Sequence, residues 1–318
     1  DTTDISKPWD KDNQAWWDWY VGLADNDDKK DPIITAEPLP DVAIPTDDEV
    51  VSEMAETYPL KNDQIDFFRK NGFIKLKKVF SPGVMLKLRA ELIKLLKKEF
   101  DVDPDKEAHD RFLSLEMIWP KNTLLRAYVL SPRLGQISAD LLGVSAVRLY
   151  HDNVLAKQAG CGRTPWHFDD HHFPLDTNDV VTAWVPAQPT PIEMGPLSFA
   201  YPLNVHELVN AVTFEKTGTG YDRGVSEVFK KNGVTVNETP FELGEVSFHH
   251  NLNFHTASRN RTSRSRVALA NTYFRDGARV INNPTMVSGD WQKFMPNINP
   301  GDVAASPLNP ICWPVDDK

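Results

Sequence analysis

Apolar residues along the chain change their period near residue 144. Before it they recur at helical spacing. Asn62 is placed to cap a helix running through Ile65, Phe67 and Phe68 to a helix-ending Gly72. Phe73 to Val79 then alternates as a strand does. Ser81-Pro82 opens a second helix with apolar positions at Val84, Leu86, Leu88, Leu92, Leu95 and Leu96. A third helical stretch covers about 125–143 and stops at Gly143. From Val144 onward short β-rich segments follow, at 145–157, 164–169, 180–187, 195–201, 234–248, 252–256 and 265–275. Many short strands parted by turn residues predict a mainly β fold, a sandwich or barrel with flanking helices, rather than alternating βαβ units.

One insertion lies within the 61–276 core, and two segments flank that core. Residues 204–233 interrupt the strands with a partly helical, glycine-containing insertion, which reads as a lid or substrate loop or as a surface excursion. A tail over 277–318 is rich in Asn and Pro, with Trp291 and Trp313 as its expected anchors. Residues 1–60 join acids and prolines to an aromatic cluster of Trp9, Trp16, Trp17, Trp19 and Tyr20. Those rings have two readings: packing of a loose extension on the body, or a flap or subunit contact over the active site.

Charge sharpens this division. The net charge of −10 belongs to the first 60 residues, which hold sixteen acids against four lysines. The remaining 258 carry 29 acids and 31 bases. No strongly basic face is evident, so nucleic acid is not an expected partner. No run approaches the roughly 20 apolar residues of a membrane span, so no membrane partner is expected either. No signal-peptide pattern is visible, and Cys161 and Cys312 alone make no disulfide framework, so a cytoplasmic protein is expected. A monomer or a homodimer is expected, the Trp-rich arm being one candidate dimer contact.

Six of the nine histidines fall in two windows, 167–172 and 249–255, each on a strand pattern. His167 and Asp169 are two apart and would leave one face of an extended strand together. With His255 they form two imidazoles and a carboxylate, the set that holds iron(II) while leaving positions open for a co-substrate and oxygen. Arg266, eleven residues past His255, adds a planar cationic fork suited to a carboxylate, expected on the next antiparallel strand. Buried in a barrel mouth, that charge would need an anionic partner. His171, His172 and Phe173 are candidates for the substrate pocket, against the alternative of a solvated loop. Arg275 either meets an anionic substrate or forms a surface salt bridge. Asn260-Arg261-Thr262 matches a glycosylation pattern with nothing else to support it.

Over roughly residues 60–276 the chain resembles the phytanoyl-CoA dioxygenase family of iron(II)/2-oxoglutarate oxygenases, which includes ectoine hydroxylase. Three blocks carry the resemblance. The first runs from Leu149 through Lys157 to Thr164-Pro165-Trp166-His167-Phe168-Asp169. The second is Val181 to Ala187 with Glu193-Met194-Gly195-Pro196-Leu197. The third is Gly244, Glu245, Val246, Phe248, His250, His255, Asn260, Thr262 and Arg266 at the family's spacing. The resemblance implies a double-stranded β-helix, the cupin-like jelly roll. It implies iron(II) on His167, Asp169 and His255, with 2-oxoglutarate and O2 as co-substrates. Arg266 would grip the far carboxylate of 2-oxoglutarate, with Lys157 and Trp184 in support and His250 behind the metal ligands or beside the substrate.

Two departures stand out. The family often has Ser two residues after the distal histidine, where this chain has Ala257, so that Arg266 would carry more of that carboxylate alone or a neighbouring hydroxyl such as Thr182 would substitute. The usual Gly-Ser-His after the second block is Tyr201-Pro202-Leu203. Asp169 is present, which argues against halogenation, because halogenating relatives lack that carboxylate. The expected activity is hydroxylation, or another C–H oxidation, of a small molecule with release of succinate and CO2. A smaller metabolite is favoured over acyl-CoA, for which no Lys/Arg cluster is evident. The competing expectation is a metal-binding jelly roll that binds a ligand and turns nothing over.

Overall fold

The computed structural model describes residues 12–26, 31–107, 109–284 and 290–315. An arm opens with helix α1 (Asp12–Val21) and reaches α2 (Asp47–Ala55), started by a capping box between Thr46 and Glu49. Helix α3 (Asn62–Asn71) ends at Gly72, whose φ of 76° is the left-handed conformation that closes a helix there. Strand β1 (Phe73–Leu76) follows, and it stops three residues short of the expected 79 because the chain turns at Lys78 with φ 54°. Helix α4 (Pro82–Phe100) begins at the Ser81 cap, and β2 (Phe112–Glu116) follows it. The helix expected over 125–143 is two helices, α5 (Thr123–Val129) and α6 (Pro132–Leu142). Pro132 has no N–H to continue a helix, and Ser131 caps the next one.

The β-rich half begins with β3 (Val147–Lys157), β4 (Thr164–His167), β5 (Val180–Pro186) and β6 (Leu197–Tyr201). The insertion folds as a 3-10 turn over Leu203–Val209 and helix α7 (Gly220–Lys231). The expected 234–248 strand is two pieces, β7 (Thr235–Asn237) and β8 (Val246–His250). Then come β9 (His255–Ala257), β10 (Arg266–Arg275) and β11 (Ile311–Trp313).

The strands form two antiparallel sheets. The larger runs β1-β8-β5-β10-β3-β11, with β2 also paired to β3, and the smaller runs β4-β9-β6-β7. Neighbours distant in sequence are the mark of a jelly roll, which is the architecture here. Alternation along each strand divides the larger sheet. Its outer face presents Val154, Ala156, Val181, Val185, Val267, Leu269 and Tyr273 to α4, α5 and α6, forming the main apolar core. Its inner face looks across to the smaller sheet, and the unusual chemistry lies between the two. A second apolar cluster joins Phe173, Tyr150 and Phe274 to Trp291 and Phe294, so that Trp291 anchors the tail.

Candidate metal and co-substrate site

His167 ends β4 and His255 opens β9, and the two are directly opposed across the strand pair. Asp169 is not on the strand. The chain has already turned there, with φ −93° and ψ −11°, and the backbone N–H groups of Asp169 and Asp170 both donate to the Asn251 carbonyl. That turn, rather than strand parity, swings the carboxylate back beside the imidazoles. Ligand atoms of His167, Asp169 and His255 all lie within 4.8 Å of one another.

The rings are aimed as metal ligands need to be. Nδ1–H of His167 donates to the Pro165 carbonyl at 2.8 Å, and Nδ1–H of His255 donates to the Asn253 carbonyl at 3.0 Å. A carbonyl only accepts, so Nδ1 carries the proton in both rings and each Nε2 lone pair faces the cluster. Burial pushes both imidazoles below their usual pKa, which keeps them neutral. Burial alone would raise the Asp169 carboxyl, but His255, His249 and His167 around it outweigh burial and hold it well below the usual range. The donor set of two neutral imidazoles and one carboxylate, already oriented, fits a divalent metal such as iron(II).

A second group of residues lies on the larger sheet, with Lys157 reaching the carbonyls of Ala257 and Ser258 just past His255. Lys157 and Arg266 are cross-strand partners on β3 and β10, so both side chains leave the same face. Both are fully buried, at 0% and 1% exposure. Arg266 donates to the Gly195 carbonyl at 2.5 Å, and its guanidinium lies 5.2 Å from the Trp184 ring centroid. Lys157 donates to the Ser258 carbonyl at 2.8 Å. Burial pushes the lysine far below its usual pKa, with Arg266 adding to the effect, and pushes Arg266 down to about 10. Arg266 Nε and Trp184 Nε1 are buried with no hydrogen-bond partner among the described residues. A buried guanidinium with an unused Nε donor, beside Lys157 and the Trp184 N–H, is a donor set that fits a carboxylate.

The structure sorts the remaining candidates. His249, not His250, reaches the metal cluster, donating from Nε2 to Asp169 Oδ2 at 3.2 Å. His250 faces the other way, accepts from the Leu252 N–H and lies near Phe68. Phe173 packs among Tyr150, His151 and core residues. His171 is exposed beside Phe168, while the edge of His172 meets Trp16. Arg275, at the far end of β10, pairs with Asp179 at 3.3 Å. The Asn260 side chain is buried and donates to three backbone carbonyls, which explains its place in the sequence without a sugar. Thr182 is bonded to Thr272, six residues along β10 from Arg266, too far to replace the hydroxyl missing at Ala257. Arg266 is on the sheet opposite β9, not on the strand beside it.

Sequence reasoning missed Thr164. It is the cross-strand partner of Ala257, and its buried Oγ1 has no hydrogen-bond partner among the described residues. A register shift between Thr164 and His167 lets residues an odd number apart share one face. The aromatic arm also reaches the metal cluster. Tyr20 lies edge-on to His167 with ring centroids 5.7 Å apart. Burial pushes its phenol well above the usual value, with Asp169 adding to the effect.

The model of the family described as phytanoyl-CoA dioxygenase (PhyH) matches residues 68–268. The chain belongs to the phytanoyl-CoA dioxygenase family. Membership makes it an iron(II)/2-oxoglutarate-dependent oxygenase, with O2 as co-substrate. Solved structures share the fold at low identity. The carbocyclase SnoK from nogalamycin biosynthesis is 24% identical, with a TM-score of 0.63 over 79% of this chain and 96% of that one. The epimerase SnoN, solved with Fe3+, α-ketoglutarate and nogalamycin RO, is 19% identical, with a TM-score of 0.61 over 79% and 97%. EctD from S. alaskensis, with 2-oxoglutarate and 5-hydroxyectoine, is 15% identical, with a TM-score of 0.60 over 90% and 99%. No curated protein matches the chain by sequence. Among the described residues no helix is long and apolar enough to cross a membrane. The PhyH match begins at residue 68, so α1 with Tyr20 lies outside it.

Proposed function

We propose that this PhyH-family oxygenase oxidises a C–H bond of a small-molecule metabolite, with hydroxylation as the reaction. The observation that carries the reading is the pairing of an oriented His-Asp-His cluster with the buried Arg266–Lys157 pair in the same barrel. Iron(II) with 2-oxoglutarate and O2 supplies the oxidising power, and 2-oxoglutarate leaves as succinate and CO2.

The chain's own residues then have distinct tasks. His167, Asp169 and His255 hold the metal, and the Pro165 and Asn253 carbonyls fix the imidazole tautomers. His249 holds one oxygen of Asp169, leaving Oδ1 facing the other two histidines, 3.7 and 3.8 Å from their Nε2 atoms. Arg266 and Lys157 receive the far carboxylate of 2-oxoglutarate, Trp184 backs the guanidinium, and Thr164 supplies the hydroxyl that Ala257 lacks. An anion in the socket pairs with the Arg266 charge and favours the protonated form of Lys157, so the site favours 2-oxoglutarate over a neutral keto compound.

SnoK and SnoN, a carbocyclase and an epimerase, share this architecture, so the outcome is set by which C–H bond the walls hold near the metal. The test is succinate release from 2-oxoglutarate with iron(II), ascorbate and a panel of candidate metabolites. Succinate formation stimulated by one substrate class, with a product heavier by one oxygen atom, is expected. No succinate from the metal-loaded protein across the panel would leave a ligand-binding jelly roll as the better reading.

A further inference from the structure

The arm does more than pack on the body. Its first attachment is the Gln14 side chain, which completes the free edge of β2 as another strand would. Nε2 donates to the Phe112 carbonyl at 2.6 Å, and Oε1 accepts from the Ser114 N–H at 2.9 Å. From there the aromatic face of α1 turns toward the metal site. Trp17 stacks on Phe112 at 4.4 Å, and Phe112 is itself a cross-strand partner of Lys157. Trp16 stacks on Tyr20 at 4.5 Å, and its ring meets His172 at 5.6 Å. Tyr20 then stands against His167.

The other end of the arm is latched by Asp222 of α7, which is fully buried. One carboxylate oxygen accepts from the Trp166 N–H, next to His167, at 2.7 Å. The other accepts from the Asp25 N–H at 2.7 Å and from Arg163 at 2.9 Å. One side chain therefore ties the arm, the insertion and the ligand-bearing strand together.

We propose that this arm is the substrate-facing wall of the metal site, with Tyr20 as its specificity-determining residue and an uncharged, ring-bearing molecule as the substrate class it fits. The chemistry of the wall supports that class. Its rings offer flat apolar surface and edge contacts. Its arginines already have carboxylate partners, Arg111 in Asp18, Arg163 in Asp222 and Arg223 in Asp25, which disfavours a diphosphate there. The proposal rests on the metal-site reading above and narrows it.

The test uses full-length protein loaded with Mn(II) in place of iron, with 2-oxoglutarate. Anthraquinone and hexanoyl-CoA serve as probes, followed by quenching of tryptophan fluorescence. Anthraquinone is expected to bind saturably, with its affinity about tenfold weaker in Tyr20→Ala and nearly unchanged in Tyr20→Phe. Mn(II) and 2-oxoglutarate affinities should be the same in all three proteins, which also shows that the variants fold. Equal anthraquinone affinity in Tyr20→Ala and wild type, no anthraquinone binding at all, or tighter binding of hexanoyl-CoA would each overturn the proposal. Failure of the wild type to bind Mn(II) would instead defeat the metal-site reading itself.

Discussion

The two faces of β10 are made by one strand and behave as two materials. Outward, Val267, Leu269 and Tyr273 are fully buried among the helices in an apolar core. Inward, Arg266 faces Lys157, and Trp184 Nε1 and Arg266 Nε are buried donors with no partner among the described residues. A folding chain avoids buried unpaired cations and orphaned donors unless a ligand later satisfies them. The outer face therefore holds the molecule together, and the inner face holds it ready. Strand alternation lets ten residues serve both ends at once.

Substitutions on the two faces should separate these roles. Leu269→Ala opens a cavity in the outer core and should cost about 2–5 kcal/mol in urea unfolding, with metal affinity of the folded protein unchanged. Arg266→Met should do the reverse. Affinity for 2-oxoglutarate, measured by calorimetry with Mn(II), should fall about a hundredfold. Stability without ligand should hold or rise, because an unpaired buried charge has gone.

The neighbours His249 and His250 extend the comparison to β8. Burial pushes the outward-facing His250 down to about 4, against about 6.5 in the unfolded chain. The unfolded chain then takes up the proton first, so stability falls as pH drops through that interval and stops falling below it. The loss should be on the order of 3 kcal/mol, and His250→Asn should remove it from the pH profile. Smallest is Thr164→Val, expected to weaken 2-oxoglutarate about fivefold. Adding Ala257→Ser should restore it, since the two residues are cross-strand partners. Restoration is not expected if Thr164 acts only through packing.

Much of this was legible in the sequence, and the exceptions have physical causes. Strand periodicity located β3, β5 and β10 within a few residues, because each has a continuous apolar face against the helices. Short edge strands such as β2 and β11 were invisible, since pairing on one side demands little of their sequence. The histidine windows and Arg266 stood out because their residue types are costly to bury without a partner. Thr164 did not, for a register shift puts it on the His167 face against simple parity. His249 and His250 could not be told apart until the register of β8 on β5 assigned them to opposite faces. Asp222 gave no local signal, and the aromatic cluster did not single out Tyr20, because each acts across contacts remote in sequence.

The central claim is that His167, Asp169 and His255 hold one iron(II) ion to which 2-oxoglutarate binds. Anaerobic titration of the protein with iron(II) and 2-oxoglutarate, followed by visible absorption, tests it directly. A charge-transfer band should appear only when both are present, and His255→Ala should abolish it while the protein still melts cooperatively. A wild-type protein without the band, or a His255→Ala variant that keeps it at full strength, would contradict the account.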